Sequence, residues 1–185
     1  MRVFIGIGLP QNCRRAIAEA ISPLRGKRTP ISWTQEDNLH VTLKFLGETP
    51  PERIEDIGLL LDGAAAGIPP FELAVEEAGG FPGLRTPRVL WVGIREPLEL
   101  VGKLHENIEN ALSAAGFPRE ERRFHPHVTV GRARDRLPEG WGEQYAKALS
   151  GKRFGVVGVN SFQLYESRLS PGGAVYRVLR DVPLS

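Results

Sequence analysis

The 185-residue chain is long enough for one domain or two small lobes sharing a core, and too short for two large independent domains. Its 41% hydrophobic and 25% charged residues are ordinary for a soluble globular protein, so disorder is not the default reading. The net charge of +2, from 24 Lys and Arg against 22 Asp and Glu, excludes a broadly basic nucleic-acid binder, so any anion site must be local. Cys13 is the single cysteine, so no internal disulfide can form, which suits a reducing compartment. The apolar run within Met1 to Pro10 is too short for a secretory leader. No stretch approaches the roughly 20 apolar residues of a membrane span. A cytoplasmic protein without membrane contact is expected.

Along the chain, residues 2–8 are apolar and β-branched and read as a buried strand. After Pro10, Ile17, Ile21 and Leu24 recur at helical spacing. Leu39 to Phe45 reads as a strand stopped by Gly47. Thr49-Pro50-Pro51-Glu52 looks like a capping box opening a helix, whose apolar face is Ile54, Ile57, Leu61 and Ala64. Phe71 to Val75 alternates like a half-buried strand. Gly79-Gly80 reads as a turn, Arg88 to Ile94 as another strand, and Leu98 to Ala115 as a helix.

The two halves repeat. His40-Val41-Thr42-Leu43 returns as His127-Val128-Thr129-Val130, an offset of 87. The same offset carries Phe4-Ile5-Gly6-Ile7 onto Trp91-Val92-Gly93-Ile94, and Pro10 onto Pro97. It also carries Ile17, Ile21 and Leu24 onto Leu104, Ile108 and Ala111, and Pro51-Glu52 onto Pro138-Glu139. Later the register slips, with Phe71-Glu72-Leu73 best matching Phe154-Gly155-Val156 at an offset of 83. Two copies are too few for a solenoid. The fold class expected is α+β, with two pseudo-twofold-related lobes in a single bilobal domain over residues 1–185.

On a strand, residues i and i+2 face the same side. His40 with Thr42, and His127 with Thr129, would therefore face one cleft across the pseudo-twofold. Phosphodiester hydrolysis needs one group to take a proton from water and another to give one to the leaving oxygen. Histidine suits both tasks near neutral pH. The threonine hydroxyls can bind the non-bridging oxygens, where charge builds up. The scheme needs no metal. Spacing alone leaves the two histidines equivalent.

The stretch from Trp33 through Glu48, with His40-Val41-Thr42-Leu43-Lys44-Phe45 at its heart, closely resembles the first signature of the two-histidine phosphoesterase superfamily. Within it, the resemblance is to the bacterial and archaeal RNA 2',3'-cyclic phosphodiesterases, formerly called 2'-5' RNA ligases. Phe124-His125-Pro126-His127-Val128-Thr129-Val130-Gly131-Arg132 resembles the second signature, and the stretches 87–93 and 164–176 are similar to the family's flanking sequences. The resemblance implies two antiparallel sheets with helices outside. It implies hydrolysis of terminal 2',3'-cyclic phosphates to 2'-phosphomonoesters, with weak reversible RNA joining in some members. Carried over by position, His40 would be the proton donor to the leaving 3'-oxygen and His127 the proton acceptor that activates water.

Arg132 lies five residues after His127, so a continued strand would turn it to the opposite face unless a bulge at Gly131 redirects it. The resemblance favours a phosphate contact. Six arginines fall between Arg119 and Arg136, diluted by Glu120, Glu121 and Asp135; an RNA-guiding patch and a solvated mixed face both fit. His125 sits too close to His127, with no third ligand at a usual spacing, to make a zinc site, and reads as a flank of the cleft or a surface residue. His105 reads as an ordinary helix residue. Trp33, Phe45 and Phe124 could stack on a base, with core packing favoured for each. The chain is thus expected to be a monomeric hydrolase without metal or cofactor. Its substrate would be RNA with 2',3'-cyclic phosphate ends, transfer-RNA fragments among them. Two alternatives stay open: a phosphodiesterase for 2'-5' oligonucleotides or small cyclic nucleotides, and a non-catalytic RNA-binding module.

Overall fold

The computed structural model describes residues 1–26, 28–95 and 97–185. The strands are β1 (Arg2–Gly8), β2 (Ile31–Trp33), β3 (His40–Glu48), β4 (Phe71–Phe81), β5 (Val89–Arg95), β6 (His127–Ala133), β7 (Arg153–Val159), β8 (Ser161–Ser170) and β9 (Gly173–Pro183). The α-helices are α1 (Gln11–Ile21), α2 (Ile54–Ala65), α3 (Glu99–Ala114) and α4 (Trp141–Leu149). No helix among the described residues is long and apolar enough to cross a membrane.

All pairing is antiparallel, in the order β7-β4-β5-β6-β3-β1-β8-β9, with β2 on β6. Two half-sheets meet at the β3–β6 seam, where Val41 pairs with Val128. These are repeat mates, so the pseudo-twofold passes between them. Both valines are fully buried, as are Ile5, Leu90, Val92, Ile57, Leu61, Leu104 and Ile108. One core therefore runs between the sheet and its helices. The apolar stripes read from the sequence are the buried faces of α1, α2 and α3. Because strand side chains alternate, His40, Thr42, His127 and Thr129 stand on the other side of the sheet, away from the helices.

Four local expectations are corrected. Thr49 does not cap α2: it is buried, its amide donates to the Met1 carbonyl at 2.8 Å, and its hydroxyl donates to the Gly47 carbonyl at 3.3 Å. A 3-10 turn at Pro51–Arg53 leads into α2 instead, with no side-chain cap. Gly79 and Gly80 lie inside β4 rather than in a turn. A Cβ on Gly79 would come within 2.3 Å of the Trp91 ring, so glycine is what lets that indole lie across the strand. The third correction is to the implied pair of sheets, which are continuous through the seam.

The fourth concerns the offset of 83. Phe71 and the 154–156 stretch are not equivalent positions; β4 and β7 are neighbours, with Phe71 paired to Val159. The place beside β1 that corresponds to β4 beside β5 is taken by β8. Glu76 pairs with Gly93, and Gln163 pairs with Gly6. Since Gly6 and Gly93 are repeat mates, the offset of 87 persists through these strands. The halves also trade strands: β4, from the first half, completes the sheet of β5 and β6, while β8 and β9 complete that of β1 and β3.

Candidate active site

Each histidine stands at the start of its strand and is oriented by the carbonyl two residues earlier. His40 Nδ1 is 2.7 Å from the Asn38 carbonyl and His127 Nδ1 is 2.6 Å from the His125 carbonyl. A carbonyl can only accept, so Nδ1 carries the hydrogen in both rings and Nε2 is left as the reactive nitrogen. His127 lines the cleft, while His40 lines a neighbouring hollow with Asn38, Tyr165 and Tyr176. His40 Nε2 also lies 2.9 Å from the Thr42 hydroxyl. Continuing the Val41–Val128 register puts His40 across from Thr129 and His127 across from Thr42. The two expected His-Thr pairs thus come together at the seam.

Arg132 joins them, and the sheet shows how. The β5–β6 register skips a residue, with Leu90 opposite Gly131 but Trp91 opposite Thr129. Val130 and Gly131 are consequently both buried, and Arg132 emerges on the face of His127 and Thr129. A cleft of about 620 Å³ is lined by Thr42, Phe45, Phe81, His127, Thr129 and Arg132, among others. β3 carries the same irregularity: Ile5 is opposite Lys44 but Gly6 is opposite Thr42, and Leu43 and Lys44 are both buried. The residue that emerges there is Phe45, the repeat mate of Arg132. Phe45 is 62% exposed, so the expectation of core packing is corrected. Adding 87 to its number would have found it.

Aromatic rings wall the histidines. Phe4, the repeat mate of Trp91, lies 4.8 Å from the His40 ring between centroids, and Tyr176 meets that ring edge-on at 5.3 Å. Phe81 meets His127 edge-on at 5.0 Å, and Trp91 lies 6.2 Å away. Phe81 carried no signal in the sequence, and Tyr165 and Tyr176 were marked only by the resemblance of the stretch 164–176 to the family. Burial depresses the pKa of His40 below 6.5, opposed by the hydrogen bond to Asn38 and reinforced by the charges of His127 and Arg132. Burial likewise depresses His127, opposed by its bond to the His125 carbonyl and reinforced by His125 and Arg132.

His125 is exposed, flanks the cleft, and packs against Trp91 (4.9 Å) and Phe81 (5.3 Å). His105 is buried, and its ring stacks on Phe124 at 4.0 Å. Phe124 therefore does both things, packing on His105 and lining the cleft. Trp33 is half-buried against Trp141, as core packing requires. In the lining of the cleft, Lys44 and Glu109 form a buried ion pair at 2.7 Å. Lys44 also donates to the Pro118 carbonyl at 2.9 Å, and Glu109 accepts from the Glu120 amide at 3.2 Å. The pair thereby fastens the segment 118–120 to the sheet.

Residues 13–168 match the family described as the 2'-5' RNA ligase superfamily. A protein of Thermotoga maritima named "RNA 2',3'-cyclic phosphodiesterase" is 35% identical over 181 residues, covering 98% of this chain and 94% of its own length. A protein of the same name from Thermus thermophilus is 34% identical over 192 residues, covering 100% of this chain and 90% of its own. Among solved structures, E. coli LigT complexed with 3'-AMP superposes with a TM-score of 0.80 at 28% identity, covering 100% and 98% of the two chains. TT0787 of Thermus thermophilus superposes with a TM-score of 0.79 at 30% identity, with the same coverage.

Proposed function

The chain belongs to the 2'-5' RNA ligase superfamily, and from that membership we propose that it is an RNA 2',3'-cyclic phosphodiesterase working by two-histidine acid–base chemistry without a metal. The observation that carries the reading is the pairing of two Nδ1-anchored histidines, each with its threonine, across one seam. Relatives bearing the name of this activity cover nearly the whole chain.

In the reaction, water attacks the phosphorus of the cyclic phosphate. His127 Nε2 takes its proton, the P–O3' bond breaks, and His40 Nε2 gives a proton to the departing O3'. The product is a 2'-phosphomonoester, and the two rings have exchanged protonation states. His127 suits the acceptor role because it lines the open cleft that water enters. Thr42, Thr129 and Arg132 hold the non-bridging oxygens, Arg132 as a charged donor. Phe45 offers the terminal base a face on which to stack. RNA is the partner, transfer-RNA fragments among the candidates, and the domain works as one bilobal unit over residues 1–185, as a monomer in the cytoplasm.

The test is hydrolysis of a nucleoside 2',3'-cyclic phosphate in the presence of a chelator. Turnover to the 2'-phosphate, unaffected by chelator, is expected. Loss of activity in chelator would remove the metal-free mechanism. Activity confined to 2'-5' oligonucleotides would replace the substrate. Inactivity on both would leave an RNA-binding module.

The pH profile follows from the depressed rings. Turnover needs one ring neutral and one protonated, and both lie below 6.5. The optimum of kcat/KM, which reports the free enzyme, is therefore expected on the acid side of pH 6.5. Above it the donor loses its proton; below it the acceptor gains one. Arg132 depresses both rings. Arg132→Gln should accordingly move both limbs to higher pH, besides weakening substrate binding. A profile that this substitution leaves in place would contradict the electrostatic account.

A further inference from the structure

Next to the cleft lies a second cavity of about 580 Å³, sharing Pro82 with it. It is built by the segment leaving β6 and the segment entering β5. The Ala133 amide donates to the Arg88 carbonyl at 2.9 Å, and the Arg134 amide to the Pro30 carbonyl at 2.7 Å. Its charged lining is Arg88, Arg134 and Arg136 against Asp135 alone. Asp135 Oδ1 is occupied by the Arg136 amide at 2.7 Å. Among the described residues, no carboxylate or carbonyl pairs with any of these three guanidinium groups.

The opposite rim of the cleft differs. Its arginines, Arg119, Arg122 and Arg123, share a cavity with Glu106, Glu109 and Glu120. Arg119 is already held by Glu106 at 2.7 Å and Asn110 at 2.6 Å. With Glu109 held by Lys44, these three arginines stand beside Glu106 and Glu120, which makes a mixed, solvated face. Three unpaired arginines converging in a concavity concentrate positive potential, at a cost in mutual repulsion that an anion relieves. The six arginines from Arg119 to Arg136 therefore divide: three on the mixed face, Arg132 in the catalytic cleft, and Arg134 and Arg136 with Arg88 in the second cavity.

We propose that the cavity of Arg88, Arg134 and Arg136 is a phosphodiester subsite, which holds the RNA backbone immediately 5' of the nucleotide whose cyclic phosphate is opened at His40 and His127. The inference rests on the hydrolase reading above and extends it from the terminal nucleotide to the strand behind it. Guanidinium forks match phosphate oxygens and carry no base preference, so the subsite reads the presence of a chain and not its sequence. Thr86 supplies a further hydroxyl donor in the lining. The enzyme would thus favour an RNA end over a free cyclic mononucleotide.

The test compares wild type with the Arg134→Gln/Arg136→Gln variant on two substrates: a nucleoside 2',3'-cyclic phosphate and a short oligoribonucleotide ending in the same group. The expected result is unchanged kcat/KM on the mononucleotide and a loss of about tenfold on the oligonucleotide, carried by KM. The logarithmic salt slope on the oligonucleotide should fall by roughly 0.7 for each phosphate contact removed. Equal losses on both substrates, or none on the oligonucleotide, would overturn the subsite. A wild type inactive on both substrates would instead sink the hydrolase reading. Fluorescence anisotropy of a labelled oligoribonucleotide ending in a 2'-phosphate then decides the subsite alone: weaker binding by the variant supports it, and equal binding refutes it.

Discussion

Alanine at either His40 or His127 is expected to lower turnover of a 2',3'-cyclic phosphate by at least about a hundredfold. Each ring is asked for one proton transfer, and no neighbour can take over. The Thr42 hydroxyl, 2.9 Å from His40 Nε2, is too weak an acid and base to replace an imidazole, and the rings around the histidines, Phe4 and Tyr176 for one and Phe81 and Trp91 for the other, supply no group that titrates near neutral pH. Burial raises the pKa of the Tyr165 and Tyr176 hydroxyls, which makes them weaker acids still. His125 is the one other imidazole beside His127, yet it stands 6.0 Å away between centroids and its carbonyl is already the anchor of His127. The double substitution should cost little more than either single one, because the two rings serve the same transition state. The measurement is single-turnover hydrolysis at saturating substrate, with thermal melting to check that the fold is intact. Activity that survives both substitutions would place the chemistry elsewhere.

The second large effect is on stability. Replacing either Lys44 or Glu109 with alanine is expected to destabilise the protein by about 3–5 kcal/mol. The side chains of the pair are only 5% and 4% exposed, so removing one partner strands the other charge without water. It also frees either the Pro118 carbonyl or the Glu120 amide from its bond. Urea unfolding of the two single variants and of Lys44→Met/Glu109→Leu measures this. The double variant should recover part of the loss, since it leaves no buried charge, but not all, since the 118–120 segment stays unfastened. Single variants within about 1 kcal/mol of wild type would mean that the pair is hydrated in solution.

The chemistry-bearing positions were legible because duplication wrote them twice. His40, Thr42, His127 and Thr129 fall on matched strands, and alternation turns them to one side. Arg132 was harder, because its orientation depends on a bulge, and a bulge is set by cross-strand pairing that a single strand does not record. Phe45 was misjudged for the same reason, although its repeat mate was in hand. The exchange of β4 for β8 was out of reach. Local pattern misleads on register: Phe71-Glu72-Leu73 resembles Phe162-Gln163-Leu164 of β8 at an offset of 91, and only the ladder shows that Glu76 and Gln163 are the equivalent positions. Gly79 was read as a turn because the ring that lies on it, Trp91, comes from another strand.

That exchange of strands bears on the order in which the molecule can be made. On a ribosome the sheet containing His40 must wait with β1 exposed along one edge until β8 and β9 emerge, more than a hundred residues later. The sheet containing His127 already holds β4 from upstream and needs only β7 to be filled at its rim. The lobe begun first is therefore the lobe finished last. Contacts of such long separation slow folding and leave an unpaired edge open to wrong partners in the interval. A reactive centre assembled from both lobes thus waits for β8 and β9 to emerge before its walls are complete.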